Sequence, residues 1–109
     1  MDIKTLSRKT TDWAQKIPEI CAVILFGSRA RGTEKESSDW DICCVLNSQI
    51  DEGWYGTWHF EEQGWKTQFC EITGLPESDV QFVSSTSDQV VNGLLEGSRV
   101  LYVHRPSSN

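Results

Sequence analysis

Two aspartates with one residue between them, Asp39-Trp40-Asp41, carry the clearest chemical signal in the chain. On a β-strand, residues i and i+2 share a face, so both carboxylates point one way and Trp40 the other. Two carboxylates on one side repel unless something neutralises them. A hard divalent cation such as Mg²⁺ does so, because it prefers oxygen ligands. A second signal, Gly27-Ser28, stands at the end of the apolar run Cys21 to Phe26, with ten residues between it and Asp39. Glycine has no Cβ and lets the backbone approach a ligand closely. Backbone N–H groups at such a turn, with the Ser28 hydroxyl, can donate to phosphate oxygens. Each half is common by itself: glycine turns after strands occur in many folds, and surface Asp pairs are usually just solvated. Together they point to phosphoryl chemistry, an anion cradle beside a cation-holding pair.

The elements that must position these residues can be read from periodicity. Ile3, Leu6, Thr10, Trp13 and Ile17 repeat at helical spacing, and Pro18 ends that helix. Cys21 to Phe26 reads as a buried strand. Ser28 to Arg31 reads as a turn or short helix before Gly32, and Thr33 to Ser38 as a polar loop. Trp40 to Leu46 is a second strand. The segment from Asn47 to Gly56 has no clear pattern. Trp58, Trp65, Phe69 and Ile72 mark a helix face closed by Gly74 and Pro76. Asp79 to Ser84 reads as a third strand. Thr86 and Gln89 form a capping box ahead of a helix through Val90, Val91, Leu94 and Leu95, and Arg99 to His104 is a last strand. The tail from Pro106 to Asn109 reads as frayed. The expected fold class is α+β, a mixed β-sheet with helices packed against one side, and the Cys21–Phe26, Trp40–Leu46 and Asp79–Ser84 strands as neighbours.

At 109 residues the chain fits a single domain over 1–109 and can bury a core without disulfides or a structural metal. The net charge of −6 argues against nucleic acid as a partner, since phosphate neutralisation needs clustered Lys and Arg. Cys21, Cys43, Cys44 and Cys70 show no CxxC spacing and sit in apolar runs; they read as buried thiols of a reducing cytosol. The N-terminus lacks a signal-peptide core, and no apolar run is long enough to span a bilayer, so the expectation is a soluble, cytoplasmic protein without membrane association.

Over Gly27 to Ile42, the wording GSRARG, then SDWDI, resembles the DNA polymerase β nucleotidyltransferase superfamily, and its minimal nucleotidyltransferases in particular. The signature of that family is a Gly-Ser after a strand, a spacer of this length and an Asp-x-Asp on the next strand. The resemblance is specific over Cys21 to Leu46 and extends in layout to Val103. It implies the polymerase β-like fold. It implies that Gly27, Ser28 and Arg29 bind a nucleoside triphosphate, with ATP favoured, and that Asp39 and Asp41 hold Mg²⁺ or Mn²⁺ against it. A hydroxyl acceptor would attack the α-phosphorus and pyrophosphate would leave.

The family normally adds a third carboxylate on a later strand, for a second metal and for activating the acceptor. Asp79 is one candidate for that catalytic and metal-binding position. Gln81 aligns more naturally with the usual slot before an apolar pair, and the two share a face if the strand includes both. Minimal members are often antitoxins paired with a helical HEPN-type protein, and some transfer AMP to a tyrosine of that partner. One expectation is therefore an active enzyme modifying a hydroxyl on a partner protein. The alternative, favoured if Gln81 fills the slot, is a weak or inactive binding module that acts by contacting a HEPN-type partner. Transfer to a small molecule is disfavoured because no second domain forms an acceptor pocket, and RNA tailing for that reason and for charge. Arg31 reads as a surface arginine beside Glu34 or Glu36, and His59 and His104 as structural. Trp54, Tyr55 and Trp58 form a candidate stacking wall or partner surface, with core packing the plainer reading.

Overall fold

Alternation along one strand decides the architecture. In Trp40–Leu46 (β2) the even positions Trp40, Ile42, Cys44 and Leu46 belong to the main core, while Cys43 and Val45 join a smaller cluster on the opposite face. A computed structural model describes residues 1–47, 54–86 and 97–104, excluding the side chains of 54–56 and 86. Its sheet has four strands in the order β3-β2-β1-β4, where β1 is Ile20–Phe26, β3 is Val80–Thr86 and β4 is Arg99–Val103. β1 runs antiparallel to both β2 and β4, and β2 runs parallel to β3, so the sheet is mixed as expected. The three expected strands are neighbours.

Helix α1 (Ile3–Ala14) and helix α3 (Trp54–Thr73) supply Leu6, Trp13, Trp65 and Phe69 to the main core, on the face of β2 that carries Trp40 and Ile42. An aromatic group joins them to the sheet. Phe82 of β3 lies 6.0 Å from Trp13, 5.6 Å from Phe69 and 5.6 Å from Trp58, the last pair stacked. Helix α1 opens with the Asp2 side chain accepting from the Thr5 N–H at 2.7 Å, an N-cap the periodicity did not reveal. It stops at Ala14, short of Ile17. The Ile17 N–H donates to Ala14 at 2.9 Å, an i−3 bond that tightens the chain out of the helix one turn before Pro18, yet Ile17 stays buried.

Helix α3 begins at Trp54, inside the segment that showed no pattern. Trp58 packs on the core rather than standing clear as a partner surface, and the side chains of Trp54 and Tyr55 lie outside the described residues. The expected helix through Val90 to Leu95 and the tail from Pro106 lie outside them too; of its capping box, Thr86 and Gln89, only the Thr86 backbone is described, as the last residue of β3. Among the described residues, no helix is long and apolar enough to cross a membrane. All four cysteines are free, and Cys43, Cys44 and Cys70 are buried.

Candidate active site

Antiparallel pairing sets Phe26, the last residue of β1, opposite Asp41 of β2, so the turn that follows β1 lies beside the carboxylate. Gly27 makes that turn with φ 76° and ψ −160°, a conformation essentially reserved for glycine. A Cβ on Gly27 would collide with the Asp41 carboxylate oxygen. The glycine therefore serves twice, once for its backbone and once to leave room for Asp41. The chain then enters the four-residue helix α2, Ser28–Arg31, with the Ala30 and Arg31 N–H groups both donating to the Gly27 carbonyl at 3.2 Å. The turn and the Asp pair read from the sequence are thus brought together at one rim of the sheet.

Asp39 and Asp41 have the parity of Cys43, so they face away from α1 and α3. Asp39 is exposed and Asp41 half-buried. The Asp41 carboxyl is held above its ordinary pKa, first by lost solvation and then by the charge of Asp39, while Arg31 pulls it down. The aliphatic stem of Arg31 lies 3.2 Å from where a Cβ on Gly97 would sit. Arg31 is itself exposed, in keeping with its reading as a surface arginine.

Of the two candidates for a third position, Gln81 is the one the sheet sets beside the aspartate pair. In the parallel β2–β3 ladder Gln81 is the register partner of Asp41, and its amide donates a long 3.4 Å hydrogen bond to Asp39. Asp79 lies before the strand, as the last residue of a 3-10 turn, Glu77–Asp79, with its N–H donating to Pro76 at 3.0 Å. The expectation that Asp79 opens the third strand is corrected accordingly: the strand starts at Val80, paired with Trp40. Among the described residues no three His, Cys, Asp or Glu side chains come together as a metal-holding group.

Arg29 makes its described hydrogen bonds to the spacer loop. Its Nε donates to the Ser38 carbonyl at 2.9 Å and its Nη2 to the Glu36 carbonyl at 3.4 Å, so the guanidinium turns toward the spacer loop. His59 lies on the exposed surface of α3, and His104 pairs with the Tyr102 hydroxyl at 3.4 Å.

Two carboxylates beside an open glycine turn suit one Mg²⁺ whose remaining ligands come from a triphosphate and water, the usual way this ion is held. Asp41's raised pKa comes first from lost solvation and then from the charge of Asp39, and a cation would offset both. With a neutral amide in the third place, the same residues do not suit a second ion.

The sequence profile described as "Polymerase beta, Nucleotidyltransferase" matches residues 8–105. A candidate nucleotidyltransferase from Sulfolobus solfataricus superposes with a TM-score of 0.59 at 17% identity, over 94% of this chain and 80% of that one. A toxin–antitoxin structure with AMP-PNP superposes with a TM-score of 0.60 at 20% identity, over 91% of this chain and 74% of that one. At these identities the likeness is one of fold. No curated protein matches the sequence significantly.

Proposed function

Because the chain belongs to the polymerase β nucleotidyltransferase family, we propose that it binds a nucleoside triphosphate, ATP foremost, with one Mg²⁺ or Mn²⁺, and that it works against a partner protein as a binding module with weak transfer activity. The observation behind this reading is Gln81 standing in register with Asp41. The Gly27-Ser28 turn receives the β- and γ-phosphates through backbone N–H groups and the serine hydroxyl. Asp39 and Asp41 hold the cation, which supplies positive charge against the triphosphate. Gln81 offers an amide that neither carries charge nor accepts a proton.

Full nucleotidyl transfer asks for more. An acceptor oxygen bonds to the α-phosphorus, the bond from that phosphorus to the bridging oxygen breaks, and pyrophosphate leaves. The acceptor's proton must pass to a base. Gln81 cannot take it, and Asp39 and Asp41 are committed to the cation, so AMP transfer to a partner hydroxyl is slow in this chain. The partner reading draws on the toxin–antitoxin structure of the same fold. A helical HEPN-type protein is the partner the family resemblance suggests.

The test is a titration of ATP with and without Mg²⁺, followed by transfer from labelled ATP to the partner protein. Mg²⁺ should tighten ATP binding in the wild type and not in the Asp39→Ala/Asp41→Ala double variant. Gln81→Asp should raise transfer, and Asp79→Asn should leave it unchanged. Loss of transfer in Asp79→Asn with Mg·ATP binding kept would reinstate Asp79 as a third carboxylate and the active-enzyme reading.

A further inference from the structure

Arg29 sits next to the phosphate turn, yet its contacts all lead to the segment that carries Asp39. The Ser38 carbonyl, which accepts from Nε at 2.9 Å, belongs to the peptide that enters Asp39. The Trp40 ring, on the other side of Asp39, lies under the guanidinium with Cζ 4.2 Å from its centroid. Trp40 is itself fixed in the core at 8% exposure. The spacer is folded as well: the Ser38 N–H donates to the Lys35 carbonyl at 2.9 Å, and the Ser38 hydroxyl accepts from the Lys35 N–H at 2.8 Å. The ten residues between the Gly-Ser turn and the aspartates therefore end in a closed turn pinned to α2.

We propose that Arg29 is a positioning residue that sets the direction of the Asp39 carboxylate relative to the Gly27-Ser28 turn, and is not a phosphate ligand. The inference rests on the metal–nucleotide reading of the site. Asp39 is exposed, and the one side-chain hydrogen bond described for it is the long 3.4 Å one from Gln81. Its aim therefore depends on its backbone. Arg29 fixes the peptide on one side of Asp39 and covers the ring on the other. Only a planar fork can serve two carbonyls and a ring face together; an ammonium is a point charge on a flexible stem. Groups that orient metal ligands without touching the metal typically change metal affinity by roughly 10- to 100-fold when replaced.

The discriminating variant is Arg29→Lys, which keeps the charge and loses the fork, with Arg29→Ala beside it. ATP binding is measured with no divalent ion and then across a Mg²⁺ titration, and amide hydrogen exchange is followed over 33–41. Arg29→Lys should bind Mg²⁺-free ATP as the wild type does, need roughly 10-fold more Mg²⁺ to form the ternary complex, and show faster exchange at Asp39. A phosphate ligand would behave otherwise: Lys would restore the wild-type Mg²⁺ requirement, and Ala would weaken ATP binding with and without Mg²⁺. Either result overturns the proposal. A wild type whose ATP binding ignores Mg²⁺ would refute the metal–nucleotide reading instead, and the exchange data would still judge the clamp. Unchanged exchange at Asp39 in Arg29→Lys overturns it, and faster exchange supports it.

Discussion

Replacing Gly27 by alanine should damage the site far more than replacing Gly32, although both glycines have a positive φ, 76° and 74°. At Gly32, ψ is 18°, the ordinary left-handed region, and an added Cβ meets nothing within 4 Å. Gly32→Ala should therefore cost about 1 kcal/mol of backbone strain alone. At Gly27, ψ is −160°, a region that side chains hardly enter, which costs about 1–3 kcal/mol by itself. The new Cβ also occupies the place of the Asp41 carboxylate, which must swing away. For a domain of this size about 1 kcal/mol moves Tm by roughly 4–8 °C. Gly32→Ala should then melt roughly 4–8 °C low with normal Mg²⁺-dependent ATP binding. Gly27→Ala should melt lower still, and its Mg²⁺-dependent gain in ATP affinity should fall at least tenfold, about 1.4 kcal/mol. Thermal melts and calorimetric titration with and without Mg²⁺ give both readouts. The reasoning fails if Gly27→Ala keeps the wild-type Mg²⁺ effect, or if both variants lose it equally.

Two further outcomes follow from burial and charge. Because the folded state raises the Asp41 pKa, the folded form favours the protonated acid; its stabilisation is full below the unfolded value near 3.8 and is lost as pH rises through the higher folded value. Asp41→Asn should thus melt slightly above the wild type at pH 7, by no more than about 0.5 kcal/mol because the group is largely solvated, and level with it at pH 3; saturating Mg²⁺ should raise the wild-type Tm and leave the variant unmoved. Burial pushes the Cys43 thiol up to about 11, and Cys44 higher than its ordinary value, so a thiol reagent at pH 8 should label Cys21 first in the native protein; rapid native labelling of Cys43 would contradict its placement.

The strand β2 was legible with its full bounds because its alternation is clean and its ends are marked by Asp39 and Asn47. Gly27 was legible because few residues other than glycine can close a buried strand that way. The choice between Asp79 and Gln81 was not, since an extended chain gives both the same parity. The 3-10 turn after Pro76 keeps Asp79 out of the strand, which starts at Val80, and such a turn has no periodic signature in three residues. The contacts of Arg29 were hidden for another reason. Its acceptors are the carbonyls of Glu36 and Ser38, and a main-chain carbonyl leaves no mark in residue type. Charge beside a phosphate turn pointed one way, and the loop's backbone drew it the other.

From Asp39 through β2 to Leu46 no residue is indifferent. The even positions are the floor of the helical core, and Asp39 and Asp41 are the proposed cation ligands, with Cys43 and Val45 filling the second cluster behind them. A saturation library across these eight codons should therefore fail in two separable ways that alternate along the strand. Polar changes at Trp40, Ile42, Cys44 and Leu46 should deplete soluble protein. Changes at Asp39 and Asp41 should leave it abundant and inert. An abundance screen alone would pass every loss-of-site variant, and a function screen alone would blur the two classes. Only the pair, read residue by residue, would spell out the pleat.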